Sequence, residues 1–315
     1  MQTITKSALL EYKQSQRLMG NTFEITVVAD NEAWAKEKIG LAVEEIKRIE
    51  RLFTTFDDSS ETNLINRYAG IKPVNVSTEV FNLIERSLRI SAVTDGAFDI
   101  TYGSIDKQLW NFDRNMTRLP DKETARNMVR LINYRNVLLD KATGTVMLKE
   151  KGMRIGFGGI GKGYAADMAK ALLIKEGVHS GIVNASGDLV TWGRQADQQP
   201  WTIGIAHPDD ARRAFSWLNI SDLAIATSGN YEKYVLIDGK KYSHTINPKT
   251  GLPVTGIKSV TIISPYAEIA DAMATPVMVM GVQAGLQLIN QIHYLSCIIV
   301  DEHNTIYSTK NIQLT

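Results

Sequence analysis

The sequence predicts an α+β fold of mixed, mainly antiparallel sheets packed with helices, and three observations point there. The helical patterns are few and long, whereas the β-rich runs are short, separated by turn residues, and too closely spaced for repeated βαβ units. A glycine-rich run at 156–163 sits between a short apolar run and a helical pattern, yet the chain around it lacks the alternation of a doubly wound sheet. Finally, 315 residues with 44% hydrophobic content can bury one large core or two fused ones.

Taken in order, residues 22–29 alternate as a strand. Residues 31–53 follow as a long helix, with Ile39, Ala42, Ile46, Ile49 and Phe53 on one face. Ser77 is placed to cap a second helix that turns Val80, Phe81, Ile84 and Leu88 inward. A third helix is expected over 121–132, behind Pro120. Strands are expected at 136–140, 145–149 and 153–155, and after a helix over 164–176 a further β-rich run covers 181–192. The second half reads as strands at 201–206, 215–220, 223–227, 234–237 and 258–264, helices at 268–280 and 282–292, and last strands near Ile298 and Ile306. Two similar halves are compatible with this order, although no internal repeat is visible, and no low-complexity linker interrupts a single domain over 1–315.

The formal charge of +1, with both signs interspersed and no basic stripe, argues against a nucleic-acid partner. Cys297 is the single cysteine; it lies in an apolar run and reads as a buried strand residue, not as a disulfide or thiolate metal ligand. Residues 1–19 are polar, with no apolar run long enough for a leader or a membrane span and no cysteine to carry a lipid. As written the chain is expected to be cytoplasmic; a periplasmic-side lipoprotein is the alternative if a leader preceded it.

Several segments could carry chemistry. The glycine run satisfies G-x-G-x-x-G through Gly156, Gly158 and Gly161, and nearly satisfies the Walker A pattern through Gly156, Gly161 and Lys162. Gly163 stands where a Walker loop needs a hydroxyl for Mg²⁺, and Asn184 and Asp188 are only approximately where a Rossmann acid belongs. A phosphate cradle and a tight packing turn both remain open on these residues alone. Asp271 and Thr275 lie one helical turn apart and offer a carboxylate and a hydroxyl to one point, which suits Mg²⁺; the plain alternative is a helix cap and a back-bonded threonine. In Tyr242-Ser243-His244-Thr245-Ile246-Asn247-Pro248-Lys249-Thr250-Gly251, His244 is a candidate acid or base, or a histidine simply bonded at a strand end. His179, His207, His293 and His303 show no ligand spacing and read as surface residues in loops. The turns at 94–99, 184–188 and 227–231 are small-residue sites where backbone could approach a ligand. Neither G-x-S-x-G, H-E-x-x-H nor C-x-x-C occurs, so triad hydrolase and zinc chemistry are unsupported.

In their order along the chain these segments resemble the FAD:protein FMN transferase family, the ApbE-like flavin transferases. The resemblance rests on Met19-Gly20-Asn21-Thr22; Thr55-Phe56 with Ser60 and Asn66; Gly96-Ala97-Phe98-Asp99-Ile100-Thr101 before Leu109-Trp110; and the run from Gly158 through Lys162, Gly163 and Tyr164 to Asp167. The turn at 184–188, Thr227-Ser228-Gly229, the segment 242–251 and Ala270-Asp271-Ala272-Met273-Ala274-Thr275 complete it, over about 17–310. The resemblance implies a T-fold-related fold and a reaction in which FAD is cleaved, AMP leaves and FMN passes to a threonine or serine hydroxyl of an acceptor protein. It implies Mg²⁺ at Asp271 and Thr275, helped by oxygens around Gly159, Gly161 and Ala274, with Asp271 and His244 as the catalytic pair. It implies FAD contacts from Met19, Phe56, Ala97, Phe98, Asp99, Gly156, Gly158, Gly159, Lys162 and Ser228, Lys162 reaching the diphosphate or staying solvated.

This sequence departs from the family pattern at four places. Gly156 stands where members often carry Asp, Asn247 replaces the Asp of a His-x-x-Asp-Pro motif, Met-Gly-Thr has become Met19-Gly20-Asn21-Thr22 by a small insertion or a shifted contact, and Ala274 replaces a second acidic ligand seen in some members. Losing the charge at 247 would lower the basicity of His244. FAD hydrolysis to FMN and AMP, a non-catalytic FAD-binding protein and, more distantly, a dehydrogenase are the alternatives.

Overall fold

Eight strands lie side by side in one antiparallel sheet and follow across it in chain order: Leu10–Leu18, Asn21–Ala29, Gly181–Ala185, Asp188–Trp192, Ala224–Gly229, Ile257–Ser264, Ser296–Asp301 and Ile306–Ser308. The structure is a computed structural model and describes residues 8–109, 116–207, 210–229, 234–237 and 239–312, without the side chains of 206, 207, 210–215 and 240. Trp110, and positions 230–231 of the turn at 227–231, lie outside the described residues.

The helices are inserted between these strands: α1 (Glu32–Phe53), α2 (Glu61–Arg67), α3 (Thr78–Val93), α4 (Lys122–Met128), α5 (Gly161–Lys175), α6 (Ala267–Met280) and α7 (Val282–Ile289). A three-stranded sheet of Val74–Asn75, Thr145–Leu148 and Val137–Asp140, two hairpins, Trp201–His207 with Asp210–Ile220 and Tyr234–Ile237 with Lys240–Ser243, and two short 3-10 helices, Ile100–Ser104 and Tyr134–Asn136, complete the described elements. The class is the α+β expected from the sequence.

Alternation along the strands divides the sheet into two faces. Val27, Val190, Ala224, Ala226 and Ile262 point into the main core with Ile39 and Ile46 of α1, Ala165 and Ala169 of α5, and Ala270 and Val277 of α6. Their neighbours Val28, Leu189, Ile225 and Ile263 point the other way and pack with Trp201 and Ile220 of the longer hairpin. Small residues on α5 and α6 let both helices lie close to the sheet and to each other. The α1 stripe is as expected, with Asn31 Oδ1 accepting the Trp34 N–H at 2.9 Å; likewise Ser77 caps α3.

Several expectations need correction. Residues 153–155 form no strand: the Asn66 side chain accepts the Ile155 N–H (2.7 Å) and donates to its carbonyl (3.0 Å), taking the place of a partner strand. Leu10–Leu18, in the polar stretch 1–19 to which no strand was assigned, is an edge strand exposed along most of its length, so burial wrote no hydrophobic period into it. The helix expected over 121–132 ends at Met128, α2 was not anticipated, and α5 begins three residues earlier than expected. His207 ends a strand, whereas His179, His293 and His303 are exposed as expected. Cys297 is buried in its strand, and burial pushes its thiol up to about 12. Among the described residues no helix is long and apolar enough to cross a membrane.

Candidate active site

Two helices begin against each other. Neither the residue before α5 nor the one before α6 caps its own helix with a side chain. Each receives its cap from the other: Asp167 on α5 accepts the N–H groups of Ala267 (3.0 Å) and Glu268 (2.9 Å), and Asp271 on α6 accepts the N–H of Gly163 through Oδ2 (3.0 Å). Carboxylates at helix starts satisfy free amides and meet the positive end of the helix dipole. Gly163 makes this approach possible, since a Cβ there would lie 2.2 Å from the carbonyl oxygen of Ala267. The missing hydroxyl after Lys162 therefore has a packing cause. The plain reading of Asp271 as a cap is half right: it caps a helix, but not its own.

Around this junction three charges are buried together. Lys162 pairs with Asp188 and lies 3.8 Å from Asp271 Oδ1. Asp188, at the start of its strand behind the Ser186-Gly187 turn, is 5% exposed and Asp271 is 7% exposed. Burial raises the Asp271 carboxyl to about 7, against the pull of Lys162 and with a push from Asp188. Burial raises Asp188 in the same direction, opposed by Lys162 and by the Thr227 amide. Burial would lower the Lys162 ammonium, but Asp271 and Asp188 outweigh it and hold the group above its ordinary value. Two carboxylates share one ammonium, so with all three ionised the cluster carries one uncompensated negative charge away from water. It can release that charge by holding a proton or by binding a cation.

Hydroxyls adjoin the carboxylates. One turn on from Asp271, Thr275 Oγ1 lies 2.9 Å from Ser228 Oγ, at the end of the strand Ala224–Gly229. Among the described residues no three His, Cys, Asp or Glu side chains converge as a metal cluster. The available donors are therefore few hard oxygens, a set that leaves room for water and substrate oxygens and fits Mg²⁺ better than a softer metal. Gly161 and Ala274, expected to lend backbone oxygens, are buried within α5 and α6.

The glycine run borders this cluster. None of its glycines has a positive φ, so left-handed backbone is not why they are glycines. They face three separate segments: Gly156 looks onto Thr55, Gly159 onto the Phe98 ring and Gly161 onto the end of Met19, while Gly158 faces open space. The structure thus brings Met19, the Thr55-Phe56 pair and Phe98 to one loop. Met19 occupies a two-residue hairpin turn at φ 51°, where Asn or Gly is usual, and Asn21 closes the turn by donating to its carbonyl (2.9 Å). Asn21 thereby has a structural role. Phe56 is 98% exposed, an aromatic face without a protein neighbour to cover it, whereas Ala97 and Phe98 are buried. Asp99 holds its own turn, accepting from Thr101 N (2.8 Å), Thr101 Oγ1 (2.6 Å) and Tyr134 N (2.8 Å).

Two expectations change in detail. Lys162 is not solvated; its ammonium is engaged by the two carboxylates. His244 is exposed, outside the buried cluster, on the segment that follows the hairpin Tyr234–Ile237 and Lys240–Ser243. That segment is seated on α4: Ile246 packs with Met128 and Val129, and Gly251, at φ 71°, approaches the carbonyl of Ala125 so closely that a Cβ would lie 1.9 Å from it. Sequence reasoning weighed Asp188 only as a Rossmann acid and placed neither it nor Asp167 in the site. Asp188 had a signal, an acid opening the apolar run Asp188–Trp192 that needs a partner once buried.

The sequence model of the ApbE family matches residues 19–299. A FAD:protein FMN transferase of Klebsiella pneumoniae is 33% identical over 297 residues, 94% of this chain and 90% of the relative. Among solved structures, the ApbE protein of Thermotoga maritima superposes with a TM-score of 0.85 at 31% identity, covering 95% of this chain and 97% of its own. The apo flavinyl transferase ApbE of Pseudomonas stutzeri gives 0.84 at 27% identity, with 98% and 97% covered.

Proposed function

The chain belongs to the ApbE family, and we propose that it transfers FMN from FAD to a threonine or serine hydroxyl of an acceptor protein, releasing AMP. The observation that carries this reading is the buried surplus of negative charge at Lys162, Asp188 and Asp271 beside the Thr275 and Ser228 hydroxyls. Asp271 and Thr275 would hold Mg²⁺, with Ser228 adjoining Thr275 and with backbone oxygens near Gly159, Gly161 and Ala274 in support. When bound, Mg²⁺ supplies charge neutralisation on the diphosphate.

The remaining roles belong to the chain itself. Lys162, released from Asp271 once another cation is present, is free to donate to a phosphate oxygen while Asp188 retains it. Gly158 leaves room for the diphosphate to approach the backbone, with Gly156 and Gly159 beside it. Met19, Phe56, Ala97, Phe98 and Asp99 surround the FAD, the bare face of Phe56 being suited to stack on a flat ring. His244 takes the proton of the incoming hydroxyl as its oxygen bonds to the FMN phosphorus; the bond from that phosphorus to the bridging oxygen breaks, and AMP leaves. Residues 1–315 act as one domain, in keeping with a main core that draws on residues from Leu18 to Ile299.

The test is incubation with FAD, Mg²⁺ and a flavin-accepting protein. A covalent fluorescent adduct that disappears in Asp271→Ala is the expected result; absence of adduct with the wild type would sink the reading. Hydrolysis of FAD by water is a second reading, favoured by the exposure of His244, and AMP release without an acceptor identifies it.

A further inference from the structure

From α3, charged side chains reach both helix starts of the candidate site. In its first turn, Glu79 accepts the Tyr164 hydroxyl at 2.8 Å and is itself gripped by Arg48 of α1 through two bonds, 2.6 and 2.8 Å long. Two turns further on, Arg86 stands over the Tyr164 ring, 5.6 Å from its centre, and forks onto Glu268 through Nε (2.6 Å) and Nη2 (3.0 Å). Tyr164 follows Gly163, whose amide donates to Asp271, and Glu268 lies in the first turn of α6, one turn before Asp271. Arg86 therefore engages both of the helices whose starts exchange caps.

Packing alone does not fix α6 on this side. A cavity of about 310 Å³ borders its Ile269 and Met273, with Arg86, Ile90 and Leu295 among the other walls. By helical spacing Ile269 and Met273 face away from Asp271 and Thr275, so the helix that carries both oxygens is incompletely packed behind them. The Arg86–Glu268 pair spans that side, with the Glu268 side chain only 10% exposed. An ion pair so far from water adds little stability over packed apolar residues, but two parallel N–H···O bonds fix direction. We propose that Arg86 is a positioning residue of the metal site: through Glu268 and Tyr164 it sets the two helix starts against each other and so holds Asp271 where Mg²⁺ needs it. The inference rests on the Mg²⁺ assignment made above and adds the residue that keeps the site in shape. Mg²⁺ demands near-octahedral geometry, and outer residues that orient a metal ligand typically govern about 10- to 100-fold in affinity.

Calorimetric titration of the FAD-free protein with MgCl₂ gives the affinity, and urea titration of the same samples gives the stability. Arg86→Gln and Glu268→Gln should each weaken Mg²⁺ binding about tenfold. Arg86→Lys, which restores the charge without the fork, should recover only part of it. The control is Lys38→Gln: Lys38 is 11% exposed and bonds Glu176 (3.2 Å), the residue that ends α5 far from the site. That variant should lose stability and keep its Mg²⁺ affinity. Affinity within about twofold of wild type in both glutamine variants overturns the proposal, and so does an equal loss in Lys38→Gln, which would make the effect one of general stability. Should Arg86→Gln not fold, Glu268→Gln, which keeps the size of the side chain, decides alone. AMP release from FAD with a flavin-accepting protein present is measured separately. A wild type that binds Mg²⁺ but releases no AMP sinks the transferase reading and leaves the positioning role standing; one that binds no Mg²⁺ overturns both.

Discussion

Lys162 with Asp188 and Asp271, and Lys249 with Asp95 and Arg135, are both three-charge groups, in nearly opposite arrangements. The first group is buried, with two carboxylates around one ammonium; the second is exposed, with two cations around one carboxylate. Water decides what each can do. At the surface the Asp95 carboxyl is merely lowered, by Lys249 first and Arg135 less, and the excess charge is shared with solvent. In the interior the excess cannot be shared, and the Asp271 carboxyl is driven up to about 7. The buried group demands a proton or a cation, whereas the surface group only attracts an anion. Binding and chemistry are expected of the first.

The difference can be broken most severely at Asp271. Asp271→Ala removes the carboxylate and the α5 cap together, and FMN transfer should fall by about 10³-fold or more in a fluorescence assay of adduct formation. Gly163→Ala comes next: it forces the helix starts apart and should destabilise the protein by about 3 kcal/mol in urea titration, with transfer lost in proportion as Asp271 moves.

The third test uses pH. A carboxyl whose folded value lies near 7 against 3.8 in the unfolded chain binds more protons when folded, so it favours folding below that window and the benefit is lost as pH rises through it. Metal-free protein should therefore melt at a lower temperature at pH 8 than at pH 6, and Mg²⁺ should remove most of the difference. Asp188→Asn should flatten the same pH slope and weaken the effect of Mg²⁺, both readable by calorimetry. A slope that survives Asp188→Asn would mean the two carboxylates do not share one charge balance. Asp167→Ala should destabilise by about 1 kcal/mol through loss of a cap, with Asp167→Asn recovering part of it. Smallest of all, Lys249→Gln should leave the melting temperature unchanged, since its partner Asp95 is solvated.

Much of the fold was legible because burial writes periodicity into sequence. The α1 stripe, the Ser77 cap and the strands near Ile298 and Ile306 followed from local pattern. The edge strand Leu10–Leu18 did not, because it buries little. Within the site, the four-residue spacing of Asp271 and Thr275 was readable, and so was the glycine run as a place of close approach. What each glycine approaches was not: Gly163 answers to Ala267, distant in the chain. The same holds for Asp167, whose partners are amides at the start of another helix, and for Asp188, whose partner Lys162 belongs to a different element. Local sequence carries local caps well; caps exchanged between helices leave no local trace.

That exchange ties two distant stretches of chain to one opening event. The amides of Gly163, Ala267 and Glu268 each donate to a carboxylate on the opposing helix, so fraying one start strips the other of its acceptor. In hydrogen exchange these amides should report a single opening with one free energy, unlike the ends of α1, whose start is capped from within by Asn31. A cation held at Asp271 should slow exchange at all of them at once, making occupancy of the site visible in solvent protection before any turnover is measured.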